Sequence, residues 1–120
     1  MIDRLTRTLD FHTQALVLRA ERQRVIASNI ANADTPGYQA RDFDFAQALR
    51  NATSGSSSGK LAPTLRYAVP SQTGADSNTV DMDRERGAFV DNSVKYESTL
   101  RFINGSVRTT LDAMKSFNQG

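Results

Sequence analysis

Apolar residues recur every three or four positions through the first thirty residues. Ile2, Leu5, Leu9, Leu16, Ile26 and Ile30 fall on one helical seam, whose remaining three positions are the polar His12, Arg19 and Gln23. Phe11, Ala15, Leu18 and Val25 make a second apolar set on an adjoining face. This pattern predicts one helix over residues 1–33, and two apolar faces predict burial by more than one neighbour, with other subunits expected on the second face. The stop is explicit. Pro36 disfavours the α conformation at Thr35, and Thr35-Pro36-Gly37-Tyr38 suits a type II turn with Pro at the second and Gly at the third position.

The far end of the chain repeats the pattern more regularly. Phe89, Ser93, Tyr96, Leu100, Ile103, Val107, Thr110, Met114 and Phe117 keep a strict 4-3 alternation and predict a helix over 82–117. Asp81 is placed to cap it, with Asp83 and Glu85 suited to the positive end of its dipole. Gly87 and Gly105 weaken it by roughly 1 kcal/mol each relative to Ala.

Between these helices the periodicity disappears. Asp42 is placed to cap a short helix over 43–51 that buries Phe45 and Leu49. Thr53 to Gly59 reads as a flexible Ser/Gly linker. Leu65 to Val69 alternates as a short strand, and a polar stretch runs from Ser71 to Asn78. The organisation is therefore 1–38, N-terminal helix and turn; 39–80, a variable and partly flexible middle; and 81–120, a C-terminal helix that pairs with the first. The fold class expected is mainly α, an antiparallel, coiled-coil-like pair of long terminal helices with a mostly irregular middle that holds short strands.

Composition sharpens the picture. Leu, Ile, Val and Phe make up about 22% of the 120 residues, close to the level of roughly 20% below which chains tend to remain disordered. Such a chain is expected to be completed by its neighbours. Formal charge is only +2, yet it is unevenly placed. Residues 1–24 carry five Arg against Asp3, Asp10 and Glu21, whereas residues 76–97 carry six acids against Arg84, Arg86 and Lys95. An antiparallel fold would bring Arg19, Arg22 and Arg24 beside Asp83, Glu85 and Asp91. Arg residues interspersed with acids make no continuous phosphate-binding stripe, which argues against nucleic acid.

Candidate chemistry is thin. There is no cysteine and a single histidine, His12, lying on a helix seam. Neither a glycine-rich phosphate loop nor a Ser/His/Asp spacing is present. No catalytic residue, cofactor or metal is assigned. The longest apolar run, Ala15 to Leu18, is too short for a membrane span or a signal-peptide core, so neither membrane insertion nor a cleavable signal is expected.

One segment exceeds what a generic helix end requires. In Ser28-Asn29-Ile30-Ala31-Asn32-Ala33-Asp34-Thr35-Pro36-Gly37-Tyr38, Asn29 and Asn32 share a face at the helix end. Their amides can bind exposed carbonyls or a neighbouring backbone there. Pro36 and Gly37 then redirect the chain, and Tyr38 adds an aromatic anchor with a polar tip. This stretch resembles the N-terminal signature of the bacterial flagellar rod and hook family of axial proteins. Tyr38 to Phe45, Asn78 to Glu85, and Lys95-Tyr96-Glu97 with Leu100 and Asn104 resemble its proximal-rod members in particular. The likeness covers roughly 1–50 and 78–117.

The resemblance implies a structural rod subunit assembled helically in the periplasm after export through the flagellar type III apparatus. It implies as neighbours further copies of the chain, the rod proteins FlgC and FlgF, the adaptor FliE and the ring protein FliF. It makes Asn29, Asn32, Thr35, Pro36, Gly37 and Tyr38 the motif residues. Leu5, Leu9, Leu16, Ile26, Ile30, Phe89, Tyr96, Leu100, Ile103, Val107 and Met114 are the expected helix-packing seam. Another rod-type member of the family, or a cytoplasmic helical adaptor or export chaperone, is the alternative.

Overall fold

The computed structural model describes residues 2–53, 66–67 and 78–119. Helix α1 spans Ile2–Ala31, strand β1 Arg41–Asp42, helix α2 Phe45–Thr53, strand β2 Arg66–Tyr67 and helix α3 Met82–Gln119. The fold is mainly α, as the periodicity predicts, and elongated, with extents of 71 × 30 × 17 Å. The expected flexible linker after Thr53, the flanks of the expected 65–69 strand and the polar stretch up to Ser77 lie outside the described residues.

Helices α1 and α3 run antiparallel. Arg19 meets Asn92, Gln23 meets Ser93, and the His12 ring lies 4.2 Å from that of Phe102. Continuing this pairing brings Ile2 opposite roughly Asp112, so the end of α3 projects beyond the start of α1. That geometry explains the graded exposure of the expected α3 seam. Tyr96, Leu100 and Ile103 are half-buried, whereas Phe89, Val107, Met114 and Phe117 are 37%, 42%, 59% and 88% exposed. The fully buried α3 side chains are the polar Glu85 and Asn92, and the half-buried ones include Ala88, Thr99 and Ser106. Within one chain α3 therefore turns to α1 a face that mixes polar, small and half-buried apolar side chains, while Met114 and Phe117 near its end stay exposed. On α1, Ile26 is buried and Leu5, Leu9, Leu16 and Ile30 are half-buried.

The second apolar face of α1 departs from expectation. Leu18 and Val25 are buried with Phe43 in a core against which Phe45, Ala48, Leu49 and Ala52 pack. The chain's own α2, not another subunit, covers this face, while Phe11 remains 43% exposed. The cap of α2 also differs. Asp44 accepts from Gln47 N–H at 3.1 Å, so the helix starts two residues later than predicted. Asp42 is occupied elsewhere, accepting from Phe43 N–H at 2.8 Å and pairing with Arg22 at 3.4 Å.

Candidate assembly site

The expected helix-to-helix ion pairs do not form as drawn from the charge pattern. Arg22 pairs with Asp42, Arg24 with Glu21 on its own helix, and the Arg19 guanidinium stacks 3.7 Å over the Phe45 ring. The basic half of α1 thus serves mainly to hold the segment that follows it. Arg19 is partly buried, which lowers its pKa, with the nearby positive charge of Arg22 adding to that and Asp91 opposing it.

Polar side chains gather where α1 ends. The last turn tightens as Asn32 N–H bonds Ser28 O and Asn29 O, and Ala33 N–H bonds Ile30 O. Tyr38 N–H then closes the Thr35–Tyr38 turn on Thr35 O at 3.2 Å, with Gly37 at φ +74°. A positive φ at the third position is the type II requirement that makes glycine the suitable residue there.

Asn29, 1% exposed, is the centre of this joint. Its Nδ2 donates to Arg41 O at 2.7 Å, and its Oδ1 accepts from Arg41 N–H at 3.0 Å and from the Tyr38 hydroxyl at 3.1 Å. One amide thereby mimics a strand neighbour for β1, whose other side pairs antiparallel with β2, Arg41 opposite Tyr67 and Asp42 opposite Arg66. Glu85, buried in the first turns of α3, faces the same amide. Burial pushes the Glu85 carboxyl up from its ordinary value; Asn29, Arg84 and Arg22 pull it down and Asp42 adds to the rise.

Asn32 holds the turn from inside. Its Nδ2 donates to Ser28 O at 2.8 Å and its Oδ1 accepts from the Thr35 hydroxyl at 3.1 Å. Asn78 closes it from outside, donating to Asn32 O at 2.9 Å and Thr35 O at 2.6 Å, so helix-terminal carbonyls find a partner 43–46 residues away. Thr79 N–H donates to Tyr38 O, and the Thr79 hydroxyl accepts from Ala40 N–H. Asp81 then caps α3, accepting from Arg84 N–H.

The six motif residues therefore lie together, with Pro36 and Gly37 exposed and Asn29 deeply buried. Sequence reasoning did not single out Asn78, Thr79 and Arg41 as parts of the joint. Their visible signal was their place in the two stretches, Tyr38 to Phe45 and Asn78 to Glu85, that carry the family resemblance. Nor did it single out Asn92, 0% exposed between the helices. Exposed apolar side chains continue away from the joint along α3: Phe102, Val107, Leu111, Met114 and Phe117. Among the described residues no cluster of His, Cys, Asp or Glu suits a metal, and no helix is long and apolar enough to cross a membrane. The arrangement is a hydrogen-bonded elbow beside two long helices that leave apolar side chains exposed.

Known proteins carry similar sequences. A family described as "Flagella basal body rod protein" matches residues 9–39, from the first half of α1 through the turn. The chain is 44% identical over 135 residues to flagellar basal body rod protein FlgB of Proteus mirabilis (strain HI4320), covering 96% of this chain and 98% of that one. It is 44% identical over 138 residues to FlgB of Escherichia coli (strain K12), covering 98% and 100%. FlgB of Buchnera aphidicola is 36% identical over 132 residues, covering 96% and 99%. Likeness this extensive, across both helices and the joint between them, means that the chain belongs to the FlgB family of flagellar basal body rod proteins.

Proposed function

We infer that the chain is a structural subunit of the proximal part of the flagellar rod, where it polymerises helically with itself and other axial proteins. The observation that carries this reading is likeness to rod proteins along nearly the whole length of both partners. The exposed apolar stripe of α3 agrees with it. A side chain such as Phe117 is 88% exposed in the single chain, and burying one such group on assembly contributes about 1.5–3 kcal/mol. The joint around Asn29 fixes the direction in which the middle segment leaves the helices, and Asn32, Thr35, Pro36, Gly37 and Tyr38 hold that elbow.

FlgC, FlgF, FliE and FliF are the neighbours this reading assigns, and the periplasm is the place of assembly. Export proceeds through the flagellar type III apparatus. The subunit carries load and has no catalytic role. Deletion complemented with Phe117→Asp tests the reading. Export of the variant should persist while basal bodies show rings without rods and cells do not swim; normal rods and swimming would refute it.

A further inference from the structure

Both apolar seams are interrupted by polar residues. On α1 the seam is broken at His12, Arg19 and Gln23, and on α3 at Ser93 and Thr110; of these, Gln23 and Ser93 meet. Gln23 Nε2 donates to Ser93 Oγ at 2.6 Å, with Phe89 O a further acceptor at 3.4 Å. Asn92 Nδ2 donates to Gln23 Oε1 and to the Arg19 carbonyl, both at 2.8 Å. Asn92 is 0% exposed, and its Oδ1 has no hydrogen-bond partner.

An incompletely satisfied buried amide is a poor source of stability, because a buried polar atom without a partner costs about 1–3 kcal/mol. What it supplies is discrimination. Apolar contact is non-directional and tolerates many alignments, whereas the Asn92 amide has its two acceptors in one. Sliding α3 by seven residues moves it about 10 Å along α1 and puts Leu16 or Ile30 where Gln23 stood, so the Asn92 amide loses its side-chain acceptor. A single buried Asn fixes register in coiled coils by the same physics.

We propose that the Asn92–Gln23–Ser93 network selects the register and the partner of α3, directing it to the α1 of its own chain in one antiparallel alignment. This holds independently of the rod reading, since it concerns pairing within one chain. The network acts in a setting of many similar apolar faces, where apolar burial alone would let helices exchange.

Absence of cysteine makes the test free of background. In the full-length chain, His12→Cys is combined in turn with Phe102→Cys (aligned) and with Lys95→Cys or Thr109→Cys (one heptad away either side), and a short bis-maleimide is applied. With the network intact, only the 12–102 pair should join, within one chain. In the Asn92→Leu/Gln23→Leu background, helicity by circular dichroism should persist with an unchanged or higher melting temperature. Exclusivity should be lost there, with 12–95 or 12–109 products or interchain dimers appearing. Exclusive intrachain 12–102 linkage in that background would overturn the proposal. So would loss of helicity, which would make the network a stabilising element instead of a selective one.

Discussion

Replacing Asn29 by Ala removes the centre of the elbow while leaving both long helices their apolar contacts. The side chain is 1% exposed, so water cannot take over its bonds without local opening. Two bonds to the Arg41 backbone are lost, at 2.7 and 3.0 Å. At about 1 kcal/mol for each backbone bond, the loss is about 2 kcal/mol. The Tyr38 hydroxyl adds little, because Ser28 Oγ lies 3.3 Å away. Alanine's better helix propensity returns about 0.5 kcal/mol, leaving a net loss of about 1.5 kcal/mol. That is about a tenth to a third of the roughly 5–15 kcal/mol typical of a folded domain. Urea unfolding of the full chain, followed by helical circular dichroism at neutral pH, measures it. Hydrogen exchange locates it, because the Arg41 amide should lose protection before the amides in the middle of α1. A loss below about 1 kcal/mol, or an Arg41 amide still protected, would show that the clamp does not hold the elbow.

Glu85→Gln should raise stability at neutral pH and flatten its pH dependence. The folded chain holds the Glu85 proton more tightly than the unfolded chain, so that contribution is fully present below the ordinary carboxylate range. It is lost as pH rises through the raised folded-state value; melting curves at pH 4 to 8 that are parallel in both proteins would contradict this. Glycine substitutions should have opposite signs. Gly37→Ala, at φ +74°, should cost about 1–2 kcal/mol, whereas Gly105→Ala, with nothing within 4 Å of the added methyl, should gain about 1 kcal/mol by denaturant unfolding. Phe43→Ala should cost about 3–5 kcal/mol because it empties the Leu18–Val25 core. By the same assay Phe117→Ser should leave the isolated chain's stability unchanged.

Both long helices were legible because each repeats apolar residues over many turns and each has a chemical end, Pro36 for α1 and Asp81 for α3. The turn was legible because few sequences other than Pro-Gly suit its dihedral angles. What periodicity does not contain is the identity of the neighbour. Phe89, Val107, Met114 and Phe117 are periodic, yet α1 does not cover them. Conversely, Asn92 is polar and buried because specific acceptors await it on α1. The start of α2 was misplaced because two aspartates precede it and the nearer one to Arg22 is engaged by that side chain. Partners 43 or more residues apart, such as Asn78 and Thr35, leave no local trace at all.

The bonds joining residues 38–40 to residues 78–79 tie the two ends of the middle segment at one neck. A chain that departs and returns through a single gate can change its length without altering what the helices feel. Doubling such a loop adds only about 0.6 kcal/mol of closure entropy, less than half the loss expected at Asn29. The neck therefore separates two evolutionary problems: the helical pair can stay constant while the segment between its ends is lengthened, shortened or exchanged.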